Sequence, residues 1–227
     1  MPADASQSRP DLAATFERVA QRYRDCGRFA RGYVAGKVRH DPVHREVLAL
    51  AAREAFGDVV DIGCGRGQLA VALLEAGLAY SVLGLDSHRG HLEQARRAAT
   101  GLAFTASVRD LTETQDAPES ATVLLIDVLY QLEARVQMAL LRAAARAARQ
   151  RILIRTLDPD RGVRSILTIG LERLMRRVSP HSGKHVDVVP VTTLTEVLSD
   201  AGFAVSIAPC WQGTPFANVL IIGRRAA

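Results

Sequence analysis

The sequence predicts an α/β fold: a mostly parallel sheet with helices on both faces, ending in an antiparallel hairpin. Three observations carry this. From Asp58 onward, short apolar segments alternate with stretches of helical periodicity, the rhythm of successive β-α-β units. The first such segment runs into a glycine-rich turn, Gly63-Cys64-Gly65-Arg66-Gly67, that opens a helix. The last two, Phe203–Pro209 and Asn218–Gly223, are joined only by Cys210–Ala217. That link is too short for the crossover a parallel pair needs, so the two must pair antiparallel.

Before the first strand, apolar residues recur at helical spacing from Leu12 to about Val34 (Phe16, Val19, Tyr23, Phe29 and Tyr33). A second helix starts at Pro42 behind Asp41 as N-cap and runs to Ala55. These helices precede the sheet, so residues 1–56 read as an N-terminal helical appendage and 57–227 as the main domain. Asp58–Ile62 is the first strand, Gln68–Ala76 a helix stopped by Gly77, and Ser81–Leu85 the second strand, ending at Asp86. Gly90–Ala99 is helical, Leu102–Val108 and Ala121–Asp127 are strands, Leu132–Ala148 is a long helix, and Arg151–Arg155 is the fifth strand. The alternation then pauses. Val163–Val178 is an amphipathic helix and Ser179–Asp187 a polar loop, so 158–187 reads as an inserted lid. Thr193–Glu196 has the pattern of a capping box opening a helix Leu194–Ala201.

With 227 residues, 48% hydrophobic and 23% charged, the chain suits one α/β domain with a sizeable core. Its net charge of +5 comes mainly from arginines interleaved with acids along helices. That spacing suits solvated faces and argues against a nucleic-acid stripe. No apolar run approaches the ~20 residues that cross a bilayer, and the start lacks the pattern of a secretory signal, so the chain reads as cytoplasmic. The three cysteines, Cys26, Cys64 and Cys210, form neither a disulfide framework nor a metal-ligand pattern. No metal is expected.

The most informative stretch is Val59-Val60-Asp61-Ile62-Gly63-Cys64-Gly65-Arg66-Gly67. Here a buried strand ends, glycines turn the chain sharply, and a helix begins with free N–H groups at the crevice. The dinucleotide fingerprint needs GxGxxG, but Gln68 occupies the third glycine position. A strand-end Asp61 is also a poor neighbour for a pyrophosphate and a good one for a cationic ammonium. Asp86, with Ser87 beside it, can accept two ribose hydroxyls or simply cap the next helix. Asp110 can accept from an adenine amino group or serve only its own turn.

Taken together, Asp61–Gly67, Asp86, Arg109-Asp110-Leu111 and the strand Val123–Leu129 resemble the successive cofactor motifs of class I S-adenosylmethionine-dependent methyltransferases. The resemblance spans roughly Asp58 to Gly223. It implies a seven-stranded sheet and S-adenosylmethionine as cofactor. Gly63 and Gly65 would lie under its methionine end beside Cys64, with Asp86 on the ribose, Asp110 and Leu111 around adenine, and Asp61 and Asp127 near the amino-acid portion. Tyr33 and Lys37 would close over the cofactor, as N-terminal segments do in related enzymes.

The acceptor is less legible. Asp127-Val128-Leu129-Tyr130 lacks the proline pair of enzymes that methylate exocyclic base amines, which points to the small-molecule branch. Tyr130 either lines the acceptor pocket or packs the helix start. His181 and His185 are candidates for a general base in the loop, set against plain exposed histidines. The apolar face and basic flanks of 163–178 suit a hydrophobic acceptor with an acidic group, aromatic or acyl. The alternatives are an RNA or protein methyltransferase and a non-catalytic cofactor-binding partner subunit.

Overall fold

The computed structural model describes residues 11–113, 115–178 and 186–226. Three helices open it: α1 (Leu12–Arg22), α2 (Arg28–His40) and α3 (Pro42–Ala51). The Asp11 carboxylate caps α1 by accepting from the N–H groups of Ala13 and Ala14. Gly27, at φ +89°, splits the apolar run that the sequence presents as continuous into two helices. Asp41 ends α2 and caps α3, whose first residue is Pro42, the pairing the sequence predicts.

The alternating part follows as β1 (Asp58–Ile62), α4 (Gln68–Glu75), β2 (Ser81–Asp86), α5 (Arg89–Ala98), β3 (Phe104–Val108) and β4 (Ser120–Ile126). A 3-10 turn, Leu129–Gln131, leads into α6 (Ala134–Ala147) and β5 (Ala148–Leu157). Then come α7 (Val163–Val178), α8 (Val191–Asp200), β6 (Phe203–Pro209) and β7 (Asn218–Arg225). The seven strands stand in the order β3-β2-β1-β4-β5-β7-β6. β7 is antiparallel to both β5 and β6 and slots between them, while the other pairs are parallel.

The period-2 alternation of each strand sends neighbours to opposite faces. Val59 and Leu124 join the side covered by α1–α4, while Val60, Ile62, Val123 and Leu125 join the side covered by α6 and α8. Val123, Leu124 and Leu125 are wholly buried, each contributing about 1.5–3 kcal/mol. The N-terminal helices share one continuous hydrophobic cluster with α4 and the sheet.

Two elements depart from the sequence reading. α8 starts at Val191 behind Pro190, with no side-chain cap, so Thr193 lies inside the helix and its capping box does not form. The fixed φ of Pro190 starts the helix three residues earlier than Leu194. α7 is the second: it buries Ser165 and Thr168 and turns Ile166 and Leu167 outward.

Chain order reverses between β1 and β4. A crevice therefore opens beyond their carboxyl ends, where Asp61, the glycine turn and Asp127 fall.

Candidate functional site

The glycine turn is pinned to the neighbouring strand. The N–H groups of Gly63 and Cys64 both donate to the Leu85 carbonyl, at 2.7 and 3.1 Å. Gly63 has φ +75°, and a Cβ there would stand 2.6 Å from Val128 Cγ2, so the position admits only glycine. At Gly65 (φ +56°) an added Cβ would meet nothing within 4 Å, which leaves that backbone open to the crevice. Cys64 packs its sulfur against Gly84, and burial pushes its thiol well above the ordinary range, so it acts as a small apolar filler.

Three carboxylates surround the turn, each in a different state. Asp86 Oδ2 accepts from Gly65 N and Oδ1 from His88 N, both at 2.8 Å. The N-cap of α5 is His88, whose Nδ1 accepts from His91 N, so Asp86 is not the cap. Asp61 is buried and has no hydrogen bond or ion pair among the described residues. Burial, then the nearby Asp86 charge, push its pKa up to about 7. Asp110 is held below the ordinary carboxylate range, first by the Thr112 hydroxyl and then by the Thr112 N–H, both on Oδ1.

At the end of β4 lies an ion-pair network. Asp127 has φ +59°, a strained region for a non-glycine residue. Its Oδ2 is 2.6 Å from Arg155 Nη1 and 3.8 Å from Lys37 Nζ. Arg155 is buried in β5 and also pairs with Asp41 at 3.0 Å, while Lys37 reaches Asp41 at 2.8 Å. Burial opposes charge on Asp41, yet Arg155 and Lys37 outweigh it and hold the carboxyl down. The same carboxylates overcome burial at Lys37 and raise its pKa. The network thus sets two basic side chains, Lys37 and Arg155, against two carboxylates, Asp41 and Asp127.

His44 stands beside this network, buried in α3, with neither ring nitrogen hydrogen-bonded. Burial lowers its pKa to about 4, against the pull of Asp41, so it is a neutral imidazole at neutral pH.

All of these groups except Asp41 and Arg155 line one cavity of about 520 Å³, within the usual size for small-ligand sites. Asp61, Gly63, Cys64, Gly65, Asp86, Ser87, Asp110, Leu111 and Asp127 all border it, with Tyr33 and Lys37 from α2. Every cofactor candidate read from the sequence thus falls on its wall. Arg66 ties α2 to the turn, with its guanidinium 5.5 Å from the Phe29 ring centre and 5.1 Å from that of Tyr33.

Tyr130 is buried in the 3-10 turn and is not among the lining residues. His181 and His185 lie outside the described residues. Outside 173–185, no described residue after Asp158 is among the lining residues. His44, Gln131 and Leu132 do border it, and sequence reasoning missed all three. Arg155 carried a signal of its own: an arginine in the middle of an apolar strand needs buried acidic partners.

Residues 59–151 match the family described as "Methyltransferase domain". No curated protein matches. Among solved structures, magnesium protoporphyrin IX methyltransferase (ChlM) from Synechocystis PCC 6803, crystallised with bound SAH, is 19% identical with a TM-score of 0.65. The match covers 95% of this chain and 96% of that one. The S-adenosylmethionine-dependent methyltransferase SibL is 23% identical with a TM-score of 0.65, over 96% of this chain and 70% of its own. The pyocyanin biosynthetic protein PhzM is 23% identical with a TM-score of 0.61, over 93% and 62%. At such identities the likeness to these three is one of fold. Joined with the domain match across the glycine turn and β4, it gives this chain the class I methyltransferase fold around a methyltransferase domain at residues 59–151.

Proposed function

We propose that the chain moves a methyl group to a small, largely hydrophobic acceptor bound beside the cofactor in this cavity. The carrying observation is the cavity itself, a single space whose wall passes from the glycine turn and carboxylates to Val43, His44, Val128 and Leu132. S-adenosylmethionine supplies a methyl group activated by a sulfonium. Asp61, buried and unpartnered, suits its ammonium group, and the open backbone at Gly65 leaves room for the chain above it. Asp86 keeps acceptor capacity for ribose hydroxyls beyond its two backbone bonds, and Asp110 Oδ2 for an adenine amine. Tyr33 and Lys37 cover the cavity from α2.

Transfer from a sulfonium is an in-line displacement, so alignment and water exclusion provide much of the catalysis. Val43, Val128 and Leu132 are the apolar lining side chains that would shield the acceptor from water and orient it. Where the acceptor must lose a proton, neutral His44 is the lining group with a free nitrogen to take it. Val163 to Glu172 of α7 are not among the cavity's lining residues. ChlM is named for magnesium protoporphyrin IX and PhzM for pyocyanin biosynthesis, which supports a small-molecule reading.

The test is calorimetry with S-adenosylhomocysteine and NAD, followed by a labelled-methyl screen on small phenols, aromatic acids, acyl conjugates and bulk RNA. Binding of S-adenosylhomocysteine alone, with label entering a small molecule, is the expected result. Label entering RNA or protein would overturn the acceptor class.

A further inference from the structure

His44 is 2% exposed, yet neither of its ring nitrogens has a hydrogen-bond partner among the described residues. Buried polar groups are nearly always paired, so an orphaned one on a cavity wall marks a missing ligand group. A neutral imidazole has one N–H to donate. Lys37 borders the same cavity from the other side of the α2–α3 corner. Its Nζ donates to Asp41 Oδ2 at 2.8 Å and stands 3.8 Å from Asp127 Oδ2. An ammonium has three donors, so Lys37 keeps at least one for a ligand. Val43, Val128 and Leu132 supply aliphatic wall to this cavity.

The same wall is poor in bases. Asp127 is held by Arg155 at 2.6 Å, and the Gln131 amide donates to the Asp127 carbonyl. Burial, aided by Lys37 and Arg155, keeps His44 down at about 4 against the pull of Asp41. Phenols and alkylamines ionise near ~10 and must give up a proton to become nucleophiles. With basicity that low, His44 serves such acceptors poorly. A carboxyl group, ordinarily near ~4, is already an anion at neutral pH and needs no base.

We propose that the methyl acceptor is a hydrophobic carboxylate, held by the His44 N–H and the Lys37 ammonium and converted to its methyl ester. The inference rests on the methyltransferase reading above and narrows its acceptor to one functional group. One carboxylate oxygen accepts from the two donors. A lone pair on the other forms the bond to the methyl carbon as the carbon–sulfur bond breaks, its electron pair leaving with sulfur, and no proton moves. The acceptor enters as an anion and leaves as a neutral ester, which Lys37 no longer attracts. Loss of opposite charges is favoured where water is excluded.

The experiment is calorimetry on the full chain saturated with S-adenosylhomocysteine, titrated at neutral pH with naphthoate, decanoate and their uncharged amides. At least one carboxylate should bind about tenfold or more tightly than its amide, the scale of a charge-assisted hydrogen bond. His44→Leu should erase that preference and keep S-adenosylhomocysteine affinity. Lys37→Met should cost the carboxylate more than S-adenosylhomocysteine, and melting curves check that both variants fold. Label transferred from S-adenosylmethionine to the preferred acid should be released as methanol by mild alkali, the mark of an ester. The proposal is overturned if neither carboxylate outbinds its amide, if both variants keep the preference, or if the label is absent or resists alkali. A Lys37→Met loss confined to S-adenosylhomocysteine would assign that ammonium to the cofactor's own carboxylate and overturn the clamp. Failure of S-adenosylhomocysteine to bind at all would remove the methyltransferase reading, and this inference with it.

Discussion

Asp86 Oδ2 accepts the Gly65 N–H at 2.8 Å, so the carboxylate that ends β2 holds the glycine turn that ends β1. The residue proposed to grip the ribose therefore also shapes the turn proposed to carry the rest of the cofactor. Asp86→Ala should weaken S-adenosylhomocysteine binding by about 1.5–3 kcal/mol, the scale of hydrogen bonds to a charged group. It should also cost about 1–3 kcal/mol of stability, because the Gly65 and His88 N–H groups lose their acceptor. Calorimetry and urea unfolding read the two separately. A stability loss with unchanged affinity would reduce Asp86 to a strut.

Asp61 gives the cofactor site a pH signature. Its pKa stands near 7 in the fold against an ordinary 3.8, so between those values the folded chain binds more protons than the unfolded one. Stability from this group is therefore full below about pH 4 and is lost as pH rises through 7. Ligand binding has the opposite sign. An ammonium group beside Asp61 favours the carboxylate, so affinity should rise with pH up to about 7, by at most tenfold per unit, and then level. Calorimetry below pH 7 in buffers of different ionisation enthalpy should show a proton released on binding, and Asp61→Asn should abolish it. Proton uptake, or no proton exchange in the wild type, would contradict an ammonium at Asp61.

His44 acts in the other direction. Its folded pKa, about 4, lies below the ordinary 6.5, so the unfolded chain binds the extra proton between these values. Stability is complete above pH 6.5 and falls as pH drops toward 4, by about 3 kcal/mol in all. His44→Leu should flatten that slope and leave cofactor affinity intact while methyl transfer falls. An equally steep acid transition in the variant would show that the imidazole is not buried as a neutral group.

The Arg155 network predicts a larger cost. Arg155→Leu leaves Asp41 and Asp127 facing each other without their shared cation, at about 3–5 kcal/mol of destabilisation. Adding Asp127→Asn should recover part of that loss, because the remaining buried charge then has Lys37. Urea unfolding of the two singles and the double closes the cycle. Strict additivity would mean that the 2.6 Å contact contributes nothing of its own.

Much of the site was legible because its signals are local. Asp61 and the glycines announce a strand ending in a tight turn, and Asp86, Asp110 and Asp127 each end or follow a strand of a regular alternation. In a parallel sheet all those ends lie along one edge, so strand-end residues far apart in sequence must meet there. The antiparallel close was legible for an equally local reason, the eight residues from Cys210 to Ala217. Gly27 shows the limit of local reading: its apolar neighbours keep helical spacing on both sides, and only the positive φ divides them.

What the tertiary structure alone decided is which side chains share a volume across unrelated segments. His44 comes from a helix ahead of the sheet, and nothing in its neighbourhood marks it as buried or unpartnered. Arg155 signals a need for partners, but its choice of Asp41 and Asp127 follows from where the α2–α3 junction and the end of β4 meet β5. α7 has an amphipathic sequence that fits either orientation. Two buried hydroxyls, bonded to Asp158, Arg161 and Ala217, fix it with the aliphatic face outward. Periodicity determines that a helix has two faces. Which one turns inward depends on the hydrogen-bond demands of the surface beneath it, and those exist only once the chain has folded.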